Sequence, residues 1–453
     1  MPIHLEPRQP LGLQIERQLR TLIREQGLPA GSELPSTRAF AADLGVSRGV
    51  VVGAYAQLAA EGYVGLRRGA APLVAAVGAE PAGAWVEHDV HVAGFRFNLR
   101  PDLPDFALFP RAEWLAASRA SLHRAVNSDL AYGEPFGAAQ LRGQLAPFLA
   151  RTRGVVADPE RTGVVAGSTQ ALHALGSVLR AAGATRVAVE DPGHRWRTAT
   201  LNASGLEIVP VAVDGQGLCV EQLPSDVGAV VVSPDHQFPL GVALSAERRR
   251  ALVEWAVAGD RLVIEHDYDG HFRYDRPPAG TLQALAPEQV AYVGSASALL
   301  APTLRLGWLV VPARLVEPLA WQAAVNGIAP PRLSQFAFAE LIGRGYLDRH
   351  LRKARAVYKR RREALCASLA EVLPGAVIGG VTAGLFVHLA LPAATDEGAL
   401  LAALRRRGVT LDGVGQNSVA AETPGLALGF AAAPEPTLVQ AVGELAGALR
   451  EVG

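Results

Sequence analysis

The sequence predicts two units of different class: an N-terminal winged helix-turn-helix (α+β) over residues 1–75, and a larger α/β domain with a mostly parallel sheet over residues 97–453. Three observations carry this. Helical apolar repeats broken by Gly45 fill the first stretch. Residues 76–96 then turn to Ala, Gly, Val, Pro and scattered charges without periodicity, which reads as a linker. From Phe97 onward, short β-branched runs alternate with helical patterns. A chain of 453 residues also exceeds one ordinary core.

Within the first unit, Leu11 to Arg24 carries Leu13, Ile15, Leu19, Leu22 and Ile23 near helical spacing, and Gly27 to Gly31 ends that helix. Ser36 is placed to cap a second helix running to about Leu44. Gly45 makes the tight turn, since glycine alone adopts the left-handed conformation cheaply. Ser47 is the expected N-cap of a third helix, Arg48 to Ala60, with Val50, Val51, Ala54, Tyr55 and Leu58 facing inward. Tyr63 to Ala70 reads as a β-hairpin wing containing Arg67 and Arg68.

In the second unit the expected strands are Thr162–Val165, Val187–Glu190, Val227–Ser233, Leu262–Glu265, Val290–Gly294 and Gly307–Val311. A smaller α/β lobe over about residues 315–453 closes the fold. Composition limits the functions available. Hydrophobic residues make up 49% and charged residues 19%, but runs such as Val227 to Ser233 stop short of a membrane span, and the N-terminus lacks a basic-then-apolar signal pattern. The expectation is a soluble, cytoplasmic protein without a membrane partner. Cys219 and Cys366 have no ligand-like spacing to each other or to histidines, which argues against a structural zinc and a disulfide scaffold. Net charge is zero, and residues 1–75 hold eight Arg against six acids, too weak an excess to identify a nucleic-acid partner by charge alone. Lysine is scarce: Lys353 and Lys359 are the whole complement, both in the Arg-rich stretch Arg349 to Arg362, which reads as a solvated helix face.

Leu34-Pro35-Ser36-Thr37-Arg38, Leu44-Gly45-Val46-Ser47-Arg48 and Glu61-Gly62-Tyr63 together resemble the GntR regulators over about 65 residues. The resemblance implies a reader of double-stranded operator DNA in which Arg38, Ser47, Arg48, Arg68 and Gly69 stand at DNA-contacting positions. Arg48, at the start of the third helix, is the residue best suited to bidentate contacts with guanine. A winged helix can also serve as a protein-interaction module, so the fold does not fix this function. Gly49 and Val50 depart from the polar residues often found there, and base specificity is not readable.

The second unit resembles fold-type-I aminotransferases over nearly all of residues 97–450. Ordered markers carry this: Tyr132-Gly133-Glu134-Pro135-Phe136-Gly137, Gly167-Ser168-Thr169-Gln170, Glu190-Asp191-Pro192-Gly193, Ser233 to Gly241, Val263 to Asp269, and the loop Tyr292 to Gly307. The combination resembles the MocR branch of the GntR regulators, which joins a DNA reader to an aminotransferase-like effector and dimerisation domain. It implies a homodimer and regulation in place of transamination.

Pyridoxal phosphate (PLP) chemistry needs an amine, an acid at the pyridine nitrogen, an aromatic face, a phosphate cradle and usually a carboxylate-binding arginine. The residue after the second serine of the loop supplies the amine in the family; here it is Ala298. Codon bias toward arginine accounts for most missing lysines, but arginine cannot form the Schiff base and the replacement is alanine in any case. The acid position is His266, the stacking aromatic is His194, and the family's Arg-Leu-x-Phe strand reads Ala427-Leu428-Gly429-Phe430. An engineered lysine-to-alanine change would leave the other three intact, so Ala298 reads as natural.

The anion cradle survives. Ser295, Ser297 and Arg305 stand where the family grips phosphate, Gly167-Ser168-Thr169 opens a helix, and Tyr268 and, across the dimer, Tyr132 remain. These residues either form a pocket for a phosphorylated or otherwise anionic small-molecule effector or persist because they pack the core and the dimer interface. No covalent cofactor and no metal is expected, and noncovalent PLP stays open. His236 and His271 read as structural hydrogen-bonding groups. Glu265, Asp267 and Asp269 read as strand-to-loop geometry.

Overall fold

The computed structural model describes residues 3–5, 10–24, 28–66, 70–75, 95–275, 280–326, 329–419 and 424–452. The chain divides into two compact units, Met1–Val90 and His91–Gly453. Arg67, Arg68, Gly69, Gly27 and linker residues 76–94 lie outside the described residues.

In the first unit, α1 (Leu11–Arg24), α2 (Thr37–Leu44) and α3 (Arg48–Ala60) surround a core of Ile15, Leu19, Phe40, Val51, Tyr55 and Leu58. The Ser36 hydroxyl accepts the Ala39 N–H at 3.2 Å and fixes the start of α2. Gly45 ends that helix at φ 64°, its N–H returning to the carbonyls of Ala41 and Ala42. The Tyr55 hydroxyl donates to the Pro35 carbonyl at 3.0 Å, tying α3 to the segment that leads into α2. Strands β1 (Val64–Gly65) and β2 (Leu73–Val74) pair antiparallel as the wing. Three expectations need correction. Leu13 is 63% exposed, on the far side of α1 from the core, and Val50 is only half-buried. Ser47 occupies the N-cap position of α3, but its side chain makes no capping hydrogen bond.

The second unit opens with β3 (Phe97–Asn98), α4 (Arg111–Arg124) and α5 (Ala139–Arg153). Strand and helix then alternate: β4 (Thr162–Val165), α6 (Ser168–Ala181), β5 (Arg186–Asp191), α7 (Arg195–Ala203), β6 (Glu207–Asp214) with its antiparallel neighbour β7 (Gly217–Leu218), β8 (Ala229–Val232), α8 (Ala246–Ala258), β9 (Leu262–Asp267), α9 (Leu282–Leu285), β10 (Val290–Ser295), α10 (Ala296–Leu299) and β11 (Gly307–Val310). The order across the sheet is β4-β11-β10-β9-β8-β5-β6-β7. Strands β10, β9, β8, β5 and β6 run parallel, and β11 is antiparallel to both its neighbours. All six expected strands are present within a residue or two at their ends. Strand β6 was missed because Pro210 interrupts an otherwise half-exposed run, and a proline reads as demoting a strand.

The chain continues through α11 (Ala313–Asn326), α12 (Arg332–Gly343) and α13 (Tyr346–Val372) into a small antiparallel sheet. Its strands are β12 (Ile378–Gly379), β13 (Phe386–Ala390), β15 (Asp412–Gly413) and β16 (Gly425–Gly429), with α14 (Glu397–Arg406), β14 (Val409–Thr410) and α15 (Glu435–Val452) completing the lobe. Strand β3 pairs in parallel with β14, so residues 97–98 join the small lobe across a sequence separation that periodicity could not reveal. The Arg-rich stretch of α13 is not wholly solvated: Arg361 is buried, pairing with Asp105 at 2.8 Å and donating to the Ala431 carbonyl.

Candidate functional site

Open α/β sheets bind ligands beyond the carboxyl ends of their parallel strands, and the predicted pocket residues gather there. Across the sheet, His266 pairs with Val293, Ser295 with Gly307, and Gly307 with Val165. Side chains alternate along a strand, so His266 follows Leu262 and Ile264, and Ser295 follows Ala291 and Val293, onto the face packed beneath α6. Ser295 therefore lies one strand over from His266 and two residues further along.

At the cradle end, Gly167 precedes α6 with φ 97° and ψ 177°, a conformation that glycine tolerates. Ser168 and Thr169 form the first turn, whose N–H groups lack intrahelical acceptors. Gly307 packs against Gly167 so closely that a Cβ on it would lie 2.8 Å from the Gly167 Cα. Arg305 is a non-glycine residue at φ 49°, and its guanidinium lies 3.7–3.9 Å from where a Cβ on Gly167 would stand. That guanidinium is exposed and makes no hydrogen bond or ion pair among the described residues. Ser295 caps α10, accepting the Ser297 N–H at 3.1 Å and donating to the Ser297 hydroxyl at 2.9 Å. Ala298, one residue further along α10, is buried in the main core cluster. Lys353 and Lys359 are both exposed on α13, away from this loop in sequence and element.

The ring end is built differently. The His194 ring stacks on Phe238 at 3.9 Å with planes 2° apart, so one of its faces is already covered, and Tyr268 meets it edge-on at 5.4 Å. The Tyr268 hydroxyl donates to the His236 carbonyl at 2.7 Å. His266 is buried, with Trp196 edge-on at 5.7 Å. Its Nδ1 lies 3.0 Å from a guanidinium nitrogen of Arg197. Arg197 also donates to the Ser233 hydroxyl at 2.9 Å and pairs with Glu190 at 3.2 Å, and the Ser233 N–H closes back on Glu190. Burial, then the charge of Arg197, holds both His194 and His266 well below the usual imidazole range, so both rings are neutral. Burial pushes Glu190 up while Arg197 and the Ser233 N–H pull it back.

A guanidinium has donors only, so Nδ1 of His266 must accept and the single ring proton sits on Nε2. Nε2 is fully buried and has no hydrogen-bond partner among the described residues. The α6 N-terminus and Arg305 suit the phosphate of PLP, whereas the Nε2 N–H of His266 offers no acceptor for a pyridinium and the methyl group of Ala298 no amine. Sequence reasoning missed Arg197, because one arginine among the neighbours Arg195 and Arg197 carries no local signal of burial.

The remaining predicted residues have definite positions. Tyr132 is wholly exposed. Arg38 and Arg48 are exposed on α2 and α3, with the Arg48 Nε 3.4 Å from the Thr37 hydroxyl. Nδ1 of His236 lies 2.8 Å from Asp269, and His271 stacks on Phe148 at 5.6 Å. Glu265 accepts the N–H groups of Leu282 and Gln283, and Asp267 accepts from Arg153 and Tyr292. No helix among the described residues is long and apolar enough to cross a membrane.

This fold and site define an aminotransferase-like domain preceded by a DNA-reading winged helix. The family profile of aminotransferase class I and II matches residues 104–443, and that of the bacterial regulatory proteins, gntR family, matches residues 11–74. The chain belongs to the aminotransferase class I and II family and, through its GntR reader, to the MocR-type transcription regulators. The HTH-type pyridoxine biosynthesis transcriptional regulator PdxR of Corynebacterium glutamicum is 32% identical over 99% of this chain and 98% of its own length. The probable rhizopine catabolism regulatory protein MocR of Rhizobium meliloti is 31% identical over 79% of this chain and 77% of its own. Among solved structures, an archaeal alanine:glyoxylate aminotransferase superposes with a TM-score of 0.73 at 27% identity, covering 78% of this chain and 91% of that one.

Proposed function

We propose that this regulator senses a small anionic molecule with a domain that has given up catalysis. The observation that carries the reading is the buried methyl of Ala298 on α10, together with the exposure of both lysines of the chain on α13. Without an amine at that position the family's covalent cofactor chemistry has no starting point. The anion cradle of α6, Arg305, Ser295 and Ser297 supports ligand binding, because the Arg305 charge has no ion-pair partner among the described residues and the first-turn N–H groups of α6 carry a partial positive charge.

The working form is a homodimer. In support, Leu115 on α4 is 69% exposed and Trp321 on α11 is 70% exposed, and the wholly exposed Tyr132 is available to a second copy's pocket. In the DNA reader, Arg38, Ser47 and Arg48 contact the operator, with Arg48 entering the major groove. Arg68 and Gly69 of the wing are proposed to meet the backbone or minor groove. An effector shifts the dimer between arrangements only as far as its affinities for them differ, and a preference of about 50-fold corresponds to about 2.3 kcal/mol.

The test uses the purified full chain with added PLP. Expected are an unchanged polypeptide mass after borohydride, no turnover of amino acids, and an operator footprint that responds to phosphorylated metabolites. A reducible adduct together with turnover would overturn the reading.

A further inference from the structure

Resting on the reading of α3 as the helix that enters the major groove, we infer that Val52 selects the operator by contact with the 5-methyl group of a thymine. Gly49 and Gly53 bring the helix close enough for that contact.

Along α3 the buried residues are Val51, Ala54, Tyr55 and Leu58. The opposite face carries Gly49, Val52, Gly53 and Ala56, all exposed. Arg48 is the only charged residue of the helix. The Gln57 amide is drawn aside to Glu61 at 2.9 Å, and Glu61 pairs with Arg20 at 2.7 Å. The face from 49 to 56 therefore offers no side-chain hydrogen-bonding group. Its one group larger than a methyl is the isopropyl of Val52, 45% exposed.

Nothing among the described residues asks for the two glycines. Both lie inside the helix without a positive φ. A Cβ on Gly53 would meet nothing within 4 Å, and one on Gly49 only the Ser47 hydroxyl at 4.0 Å. Alanine would fit at both positions and favours a helix over glycine, so their missing side chains serve a surface that arrives from outside. Because this unit is a GntR-type DNA reader, that surface is a DNA groove. A polar face would read hydrogen-bonding base edges, which this face cannot do. The major-groove feature that an isopropyl group can read is the thymine methyl, and bringing the two together removes apolar surface from water.

The probe is a duplex selected by the full chain from a random-sequence pool. It is then resynthesised with each thymine of the footprint replaced singly by deoxyuridine, which pairs alike and lacks only the methyl. Fluorescence-anisotropy titration should show a loss of about threefold to fivefold at one thymine of each half-site. Val52→Ala should bind the parent and that deoxyuridine duplex equally, whereas Arg48→Ala should keep the difference. Gly53→Ala should slow amide exchange in α3 yet weaken specific binding by about fivefold or more, because a methyl is forced into a close interface. A purely structural glycine would leave binding unchanged, and that result would overturn the inference. So would deoxyuridine tolerated at every position, or a loss that persists in Val52→Ala; each leaves the groove assignment of Arg48 intact. A selection that returns no shared sequence would remove the groove assignment as well.

Discussion

Arg153 provides the sharpest perturbation of the site's framework. Its guanidinium is wholly buried, pairs with Asp267 at the end of β9 and with Asp235 beyond β8, and donates to the Gly270 carbonyl at 3.0 Å. Methionine would fill much of the same volume without the charge. Removing one partner of a buried ion pair costs ~3–5 kcal/mol. Here Asp235 keeps Arg249, and Asp267 keeps the Tyr292 hydroxyl at 2.6 Å and the Gly270 N–H at 3.0 Å. The lower end, about 3 kcal/mol, is therefore expected.

The loss must also depend on pH. Burial alone would raise the Asp267 carboxyl, but Arg153, His271 and Tyr292 together hold it below its ordinary 3.8. In the wild type this depressed group contributes stability above the unfolded value, lost only as pH falls through the folded value. Without Arg153, burial dominates and the carboxyl rises above its unfolded value. Its penalty is then largest near neutral pH and fades as the group protonates. Urea unfolding followed by the fluorescence of Trp308, which is buried in the second unit, measures the deficit of Arg153→Met near pH 7 and near pH 5. A deficit under about 1 kcal/mol at the higher pH, or one equal at both, refutes the reasoning.

Three further outcomes are expected. Arg48→Ala should weaken specific operator binding by ~1–3 kcal/mol in a footprint titration while leaving the non-specific salt dependence nearly unchanged; an unaltered footprint would discredit the groove assignment. Ala298→Lys should restore an amine that borohydride can fix to added PLP, seen as a mass increase, yet turnover of amino acids should stay undetectable while His266 remains; ready transamination by this single variant would show that the ring end is not inhibitory. Burial pushes the Glu265 carboxyl up to about 7 against the pull of the Leu282 and Gln283 N–H groups. Because that value is raised, its contribution to stability declines as pH rises from the unfolded carboxylate range through neutrality. Glu265→Gln should flatten this part of the stability profile, and an unchanged slope would remove Glu265 as its source.

The sequence was most legible where chemistry is local. Ser36 and Gly45 set the ends of α2 through a capping hydroxyl and a left-handed turn, and both act as their residue types dictate. The six predicted strands were legible because buried parallel strands read as continuous β-branched runs. Ser47 shows where local chemistry stops: the cap position is right, but the hydroxyl makes no capping bond. Strand β6 was illegible because Pro210 and its half-exposed pattern hide a run that its parallel neighbour β5 nevertheless holds in the sheet.

By itself, the sequence determined the two units and the reader's helical frame, since each follows from residue identity and near neighbours. Only the tertiary structure decided which groups are alone and which are paired. Arg197 reaches His266, Glu190 and Ser233 from separate elements and so sets the tautomer of a buried ring. Arg305, by contrast, stands beside Gly167 with no partner among the described residues. Hydrogen-bond polarity and charge pairing depend on atoms brought within about 3 Å by strand register and helix packing, and no local pattern of residues encodes that distance.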